Sequence, residues 1–293
     1  MSVAELFQEF SSNLRMGQRQ RSSLAQRTER ITRALNVEFR STDSSSANRF
    51  YVGSMGRNTA IPTVSDVDLL YVLPYEAWTK YNAHSGNKQS SLLNAVRLAI
   101  STTYPTSRVS GDGQVVVIAF TDGVTYEVLP AFLNNEQGYT FADSNNGGSW
   151  KACKPKQEMS AFSTRNNVCN GNLVELCRMT RAWRDANNAP ISGMLIDTLA
   201  YQFIEEWAHK NKSYLYYDYM TRDFFAFLAS QNQLQQYWSA PGSGSRVSRK
   251  GLFEYKARQA ELRALDAIQH LEANREWSAK QKFREIYGTD FPA

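Results

Sequence analysis

The run Asp66-Val67-Asp68-Leu69-Leu70-Tyr71-Val72-Leu73, closed by Pro74, constrains this chain more than any other stretch. Its apolar and β-branched residues predict a strand, and side chains at i and i+2 of a strand share a face. Asp66 and Asp68 therefore project together, with Val67 on the opposite side. Two carboxylates that close repel, and each raises the other's pKa unless a cation sits between them. Upstream, Phe50-Tyr51-Val52 stops at Gly53-Ser54, and eleven residues separate that Ser from Asp66. This predicts a short strand running into a tight turn. Glycine lets backbone N–H groups approach an anion closely, and serine adds a hydroxyl. A carboxylate pair suits a hard divalent ion, Mg2+ or Mn2+, and the neighbouring turn suits the triphosphate such an ion accompanies.

A two-metal site needs a third carboxylate from a neighbouring strand. Glu127 supplies it, within Thr125-Tyr126-Glu127-Val128-Leu129-Pro130. Gln114 to Phe120 and Val124 to Leu129, separated by Thr121-Asp122-Gly123, predict a hairpin with Glu127 on its second strand. Asp112 and Asp122 stand beside glycines and are read as turn residues.

Around these motifs the pattern is mixed. Leu6, Phe7, Phe10, Leu14, Leu24, Ile31 and Leu35 recur at helical intervals between Val3 and Phe39, as one long amphipathic helix or a broken pair. A helix is expected over about Ser90 to Thr102. Residues 134–170, rich in Asn, Gly, Ser and Lys, show no periodicity and read as an ordered surface crossover. Helices are expected beyond them, at about Leu173 to Asp185, Met194 to Lys210, Thr221 to Gln236, Leu252 to Glu272 and Ser278 to Tyr287. The class is α+β, a mixed sheet followed by a helical lobe.

Composition excludes several classes. The 293 residues are 42% hydrophobic and 21% charged, as in soluble globular proteins. No window offers the roughly 18 apolar residues of a membrane helix, and Met1-Ser2-Val3-Ala4-Glu5 has no signal-peptide pattern. A cytoplasmic protein without a membrane partner is expected. Three cysteines and three scattered histidines give neither a disulfide framework nor a zinc site. The 33 Lys and Arg exceed the 28 Asp and Glu by five, too small an excess to signal a nucleic-acid groove. The basic stretches, Arg15 to Arg30 and Arg246 to Lys250, lack interleaved aromatics.

Gly53-Ser54, Asp66-Val67-Asp68 and Glu127-Val128-Leu129-Pro130 together resemble the polymerase-β-like nucleotidyltransferases. Within them, the chain is similar to the bacterial CD-NTase family, relatives of cyclic-GMP-AMP synthase and oligoadenylate synthase. Gly147-Gly148-Ser149-Trp150, Lys154-Pro155-Lys156, Leu176-Cys177-Arg178-Met179-Thr180-Arg181-Ala182-Trp183 and Ile191-Ser192-Gly193-Met194-Leu195-Ile196-Asp197 carry that finer likeness. The resemblance implies a bilobed enzyme: a nucleotidyltransferase core with an N-terminal spine helix (residues 1–160), a helical lobe (161–293), and the active site in the cleft between them. It implies that Asp66, Asp68 and Glu127 hold the metals, that Gly53 and Ser54 bind the triphosphate, and that Arg178 and Ser192 lie on the nucleotide. Many relatives carry Asp where this chain has Glu127.

The implied activity joins ATP and a second nucleoside triphosphate into a cyclic di- or trinucleotide with loss of pyrophosphate, in anti-phage signalling. A downstream effector acts through the product, no DNA trigger is needed, and the chain is expected to be a monomer. Two readings stand beside it. One is another nucleotidyltransferase of the superfamily, acting on RNA ends or a small molecule; the other is an inactive nucleotide or RNA sensor. Trp150, Trp183 and the Tyr214, Tyr216, Tyr217 and Tyr219 group are read as packing residues, and Arg178 and Arg181, three apart, share a helical face.

Overall fold

The computed structural model describes residues 2–293. The chain forms two compact units: the residues up to Met16 with Arg57–Pro62 and Gln157–Ala293, and Gly17–Gly56 with Thr63–Lys156.

In chain order, α1 (Val3–Asn13) belongs to the first unit and α2 (Gln18–Arg40) to the second. The expected first helix is thus a broken pair. Ser2 caps α1 by accepting from the Glu5 N–H while Glu5 accepts from the Ser2 N–H, and the helix stops at Leu14. Gly17 opens α2, whose buried Leu24, Thr28, Ile31, Leu35 and Asn36 recur every three or four residues and form one stripe.

The rest of the second unit is β1 (Arg49–Tyr51), α3 (Gly53–Gly56), β2 (Asp66–Val72), α4 (Tyr75–Asn82), α5 (Lys88–Thr103), β3 (Arg108–Asp112), β4 (Val115–Ala119), β5 (Thr125–Leu133), β6 (Tyr139–Asp143) and β7 (Ser149–Cys153). They build a seven-stranded sheet ordered β1-β2-β5-β4-β3, with β6 and β7 continuing from the far end of β5. The expected hairpin is present as β4 and β5, antiparallel. Pairing of β2 with β5 is parallel, so the sheet is mixed. One face is apolar throughout: Val67, Leu69, Tyr71, Val116, Ile118, Tyr126 and Val128 are fully buried. Helix α2 is tied to that face where the Tyr126 hydroxyl donates to the Leu24 carbonyl (2.6 Å) and the Tyr71 hydroxyl to Asn36 Oδ1 (3.0 Å). On the opposite face Leu70 packs with Ala131, Tyr139 and Phe141.

The first unit continues with α6 (Pro155–Val168, its last twelve residues in this unit), α7 (Asn172–Asn187), α8 (Gly193–Glu206), α9 (Tyr217–Ala229), a ribbon of β8 (Tyr237–Ser239) and β9 (Arg246–Ser248), α10 (Glu254–Glu272) and α11 (Glu276–Tyr287). Its core is aromatic. Phe7 meets Phe283, Phe291 and Tyr217 edge-on at 5.0–6.0 Å between ring centres, and Trp183 packs on Phe225.

Expectations change along the chain. Residues 134–170 contain β6, β7 and α6, whose strands are too short and too polar on one side to show a period. Helix α9 begins at Tyr217 and ends at Ala229, and residues 230–236, expected to extend it, form turns that precede the β8–β9 ribbon. In the basic stretch at 246–250, β9 takes up Arg246–Ser248 and the Arg249 side chain is buried against Glu254. Among the described residues no helix is long and apolar enough to cross a membrane.

Truncating Phe7 removes a ring enclosed by four aromatic neighbours. Phe7→Ala should cost about 3–5 kcal/mol, read as a lowered urea midpoint with an unchanged m-value.

Candidate active site

Along β2, exposure alternates as the period of a strand requires: Asp66 exposed, Val67 buried, Asp68 half-buried, Leu69 buried. Parallel register sets Asp68 beside Glu127 and Asp66 beside Thr125, so all three acids stand on one face. Farther along that face Leu70 turns apolar, which leaves the carboxylates at the open end of the strands.

The sheet brings a fourth acid to this face. Ser110 lies opposite Val117, and Val117 opposite Glu127, which puts Asp112, two residues on from Ser110, on the carboxylate side. Sequence reasoning assigned Asp112 to a turn because Gly111 and Gly113 flank it. The signal that could have found it is the alternation of Arg108, Ser110 and Asp112 along a strand. Burial pushes the Glu127 carboxyl above the usual range, and Asp68, then Asp66, then Asp112 push it further.

Gly53 opens α3 with φ +58°, a left-handed conformation, and a Cβ there would lie 1.8 Å from Asp68 Oδ2. The turn is thus pressed against the carboxylate strand, and no side chain fits between them. The Val52 N–H donates to the Asp68 carbonyl at 3.0 Å, which fixes that approach. Ser54 follows in the same half-buried turn.

As they stand, no three His, Cys, Asp or Glu side chains among the described residues are gathered into a ready-made metal cluster. The donor set nevertheless fits a hard divalent ion. Asp66, Asp68 and Glu127 offer carboxylate oxygen alone, on adjacent strands, and their mutual repulsion is what a cation would relieve.

Arg178 and Ser192 belong to the other unit. Ser192 caps α8, its Oγ accepting from the Leu195 N–H at 3.2 Å. Arg178 is buried, its Nη2 donating to the Asn58 carbonyl (2.9 Å) and Asn58 Oδ1 (3.0 Å) and its Nη1 to Glu175 Oε1 (3.1 Å). Burial pulls its pKa below the usual guanidinium value. Arg181 donates to both oxygens of Asp197 (2.6 and 2.9 Å), and Arg57 Nε and Thr59 Oγ1 reach Asp197 Oδ2 at 2.9 and 3.1 Å. Burial alone would raise the Asp197 pKa, but Arg181 and Arg57 outweigh it and hold the carboxyl below the usual range. Trp183 is core, as expected, while Trp150 packs with Trp78 and Phe132.

Two outcomes test this geometry. Gly53→Ala forces a left-handed alanine, about 1–2 kcal/mol, and displaces the Asp68 carboxylate; a melting temperature several degrees below wild type, read by calorimetry, is expected. Glu127→Gln tests the charge. The folded chain holds the Glu127 proton more tightly than the unfolded chain, so ionisation destabilises the fold as pH rises through the ordinary carboxylate value and then the folded one. Denaturant unfolding between about pH 4 and 8 should show Glu127→Gln more stable than wild type at the neutral end, with the difference vanishing at the acid end.

The family model of the Second Messenger Oligonucleotide or Dinucleotide Synthetase domain matches residues 1–166. A probable cyclic nucleotide synthase of Bacillus cereus (strain VD146) is 20% identical over 181 residues; the match covers 52% of this chain and about half, 54%, of that protein. In fold, the chain is similar to Escherichia coli MS115-1 CdnC, solved in complex with HORMA-deltaN (TM-score 0.71, 12% identity, covering 99% of this chain and 98% of that one). It is also similar to the CD-NTase CdnG of Bradyrhizobium diazoefficiens, solved in complex with GTP (TM-score 0.66, 10% identity, covering 97% and 98%). With more than half its length matched, including the turn, the aspartate pair and Glu127, the chain belongs to the Second Messenger Oligonucleotide or Dinucleotide Synthetase domain family.

Proposed function

We propose that this chain is a divalent-metal-dependent nucleotidyltransferase that joins ATP and a second nucleoside triphosphate into a cyclic di- or trinucleotide. The observation that carries the reading is the placement of Asp66, Asp68 and Glu127 on one sheet face, with the Gly53 backbone against Asp68. Solved structures of CdnC with ATP and CdnG with GTP support nucleoside triphosphates as the substrate class.

Asp66 and Asp68 would hold Mg2+ or Mn2+, with Glu127 completing the set. Bound there, the ion supplies neutralisation of triphosphate charge and of the charge that develops at the α-phosphate. Gly53 and Ser54 would bind the triphosphate, the glycine because it leaves room for the backbone to approach and the serine through its hydroxyl. Glu127, a carboxylate with raised proton affinity, would take the proton of the attacking ribose 2′ or 3′ hydroxyl. The ribose oxygen bonds to the α-phosphorus as the bond to the β-phosphate oxygen breaks, and pyrophosphate leaves. A second transfer closes the ring. The three acids also weigh against a pure sensor, since repelling carboxylates are a cost that binding alone does not require. A place in anti-phage signalling, with an effector that reads the product, follows from the resemblance.

The test is incubation with four labelled ribonucleoside triphosphates and Mg2+ or Mn2+, phosphatase treatment and mass spectrometry, with Asp66→Ala/Asp68→Ala alongside. A phosphatase-resistant cyclic product from wild type and none from the double variant is expected. Extension of added RNA without any cyclic product would overturn the reading.

A further inference from the structure

The registers of β2, β5, β4 and β3 carry the acidic face of the sheet well past the acids. Asp66, Thr125, Ala119 and Arg108 form one row across these four strands, and Asp68, Glu127, Val117 and Ser110 form the next. Residues paired in this way share a face, so Arg108 and Ser110 stand on the side of the three acids. With strands about 4.8 Å apart, Glu127 and Ser110 are separated by two intervals, about 10 Å, and Asp66 and Arg108 by three, about 14 Å.

The ground between them is apolar and open. Val117 is half-buried and Ala119 exposed, whereas Val116 and Ile118, which alternate with them along β4, are fully buried on the other face. Beyond this aliphatic shelf Arg108 is exposed, and among the described residues its guanidinium makes no ion pair or hydrogen bond. Asp112, four residues on, stands on the same face at the far end of β3. The strand thus presents a cation level with Asp66 and an anion away from it, and a negative group lying on the shelf is drawn to the Arg108 end.

We propose that Arg108 binds the phosphates of the acceptor, the nucleotide that supplies the attacking hydroxyl, while its sugar and base rest on Val117 and Ala119. This rests on reading Asp66, Asp68 and Glu127 as the site of transfer. A ribose hydroxyl that gives its proton to Glu127 has the rest of its nucleotide on one side of the acids or the other. The β1 side holds the Gly53–Ser54 turn, where the donor triphosphate would lie, so the open side is β4 and β3. An acceptor that is itself a triphosphate brings its own charge onto a face of carboxylates, and the metal ions neutralise the donor. A separate cation has to meet the acceptor, and a guanidinium, with paired donors in a planar fork, suits phosphate oxygens.

Substrate analogues separate the two roles in the full-length chain. 2′,3′-Dideoxy-ATP has no ribose hydroxyl to attack with and serves as donor alone. α,β-Methylene-ATP cannot be cleaved beside its α-phosphorus and serves as acceptor alone, and adenosine is an acceptor without phosphates. In initial rates of the first transfer, Arg108→Met should raise KM for α,β-methylene-ATP about tenfold and change KM for adenosine and for dideoxy-ATP less than about twofold. Arg108→Lys, which keeps the charge, should recover most of that loss. Equal losses with both acceptors, a rise confined to the donor, or no change at all would overturn the proposal; the last is the result for an arginine that only keeps other strands off the β3 edge. If wild type transfers to no acceptor, the functional reading fails, and calorimetric titration of tripolyphosphate in EDTA decides the anion site. Binding about tenfold weaker in Arg108→Met than in wild type supports the site, and equal binding overturns it.

Discussion

Parallel pairing of β2 with β5 is the constraint on which the site depends. It fixes Asp68 beside Glu127, an arrangement of like charges that an unliganded fold gains nothing from. The sheet sustains it because the reverse side of the same strands is fully apolar and covered by helices, so the register cannot slip without exposing Val67, Leu69, Tyr126 and Val128. The energy that holds the acids in place therefore comes from the opposite face. Gly53 belongs to this constraint, since a side chain there would occupy the space of the Asp68 carboxylate.

The helical unit contributes a second kind of order. Asp197 is fully buried between Arg57 and Arg181, with Thr59 as a further donor, and Glu158 brings a second negative charge near Arg57. Such a cluster costs much desolvation and returns it through good geometry, so its net effect on stability is modest. What it supplies is specificity of path: the short segment after the Gly-Ser turn has one set of partners, and exchanging them would strand buried charges. Arg178 adds to this by gripping Asn58.

Legibility in the sequence followed burial asymmetry. The β2 and β5 strands could be read because one face is buried and the other carries acids, which produces a clean two-residue period in Asp66-Val67-Asp68 and Tyr126-Glu127-Val128. Leu24, Ile31 and Leu35 marked α2 for the analogous helical reason. Strand β3 was missed because Ser110, Gly111 and Asp112 read as turn chemistry until β4 lies beside them, and with it went Asp112. Strands β6 and β7 hid in an Asn- and Gly-rich stretch because β7 lies at the sheet edge and buries no residue fully. Arg178 and Arg181 showed as two cations on one helical face, a pattern that a solvated surface, an ion pair and a phosphate contact share.

The sequence by itself determined that Asp66 and Asp68 share one side of a strand, that Glu127 lies on another strand, that a glycine turn precedes the pair, and that helices follow. These are local properties, set by side-chain period and backbone freedom over a few residues. Tertiary structure decided which strands become neighbours and in which direction, that Asp112 joins the acidic face, and that Arg178 and Asp197 bind Arg57–Thr59. The β2–β5 pairing and the grip on Arg57–Thr59 join residues 59 to 140 positions apart, and no local pattern encodes which distant donor meets which acceptor.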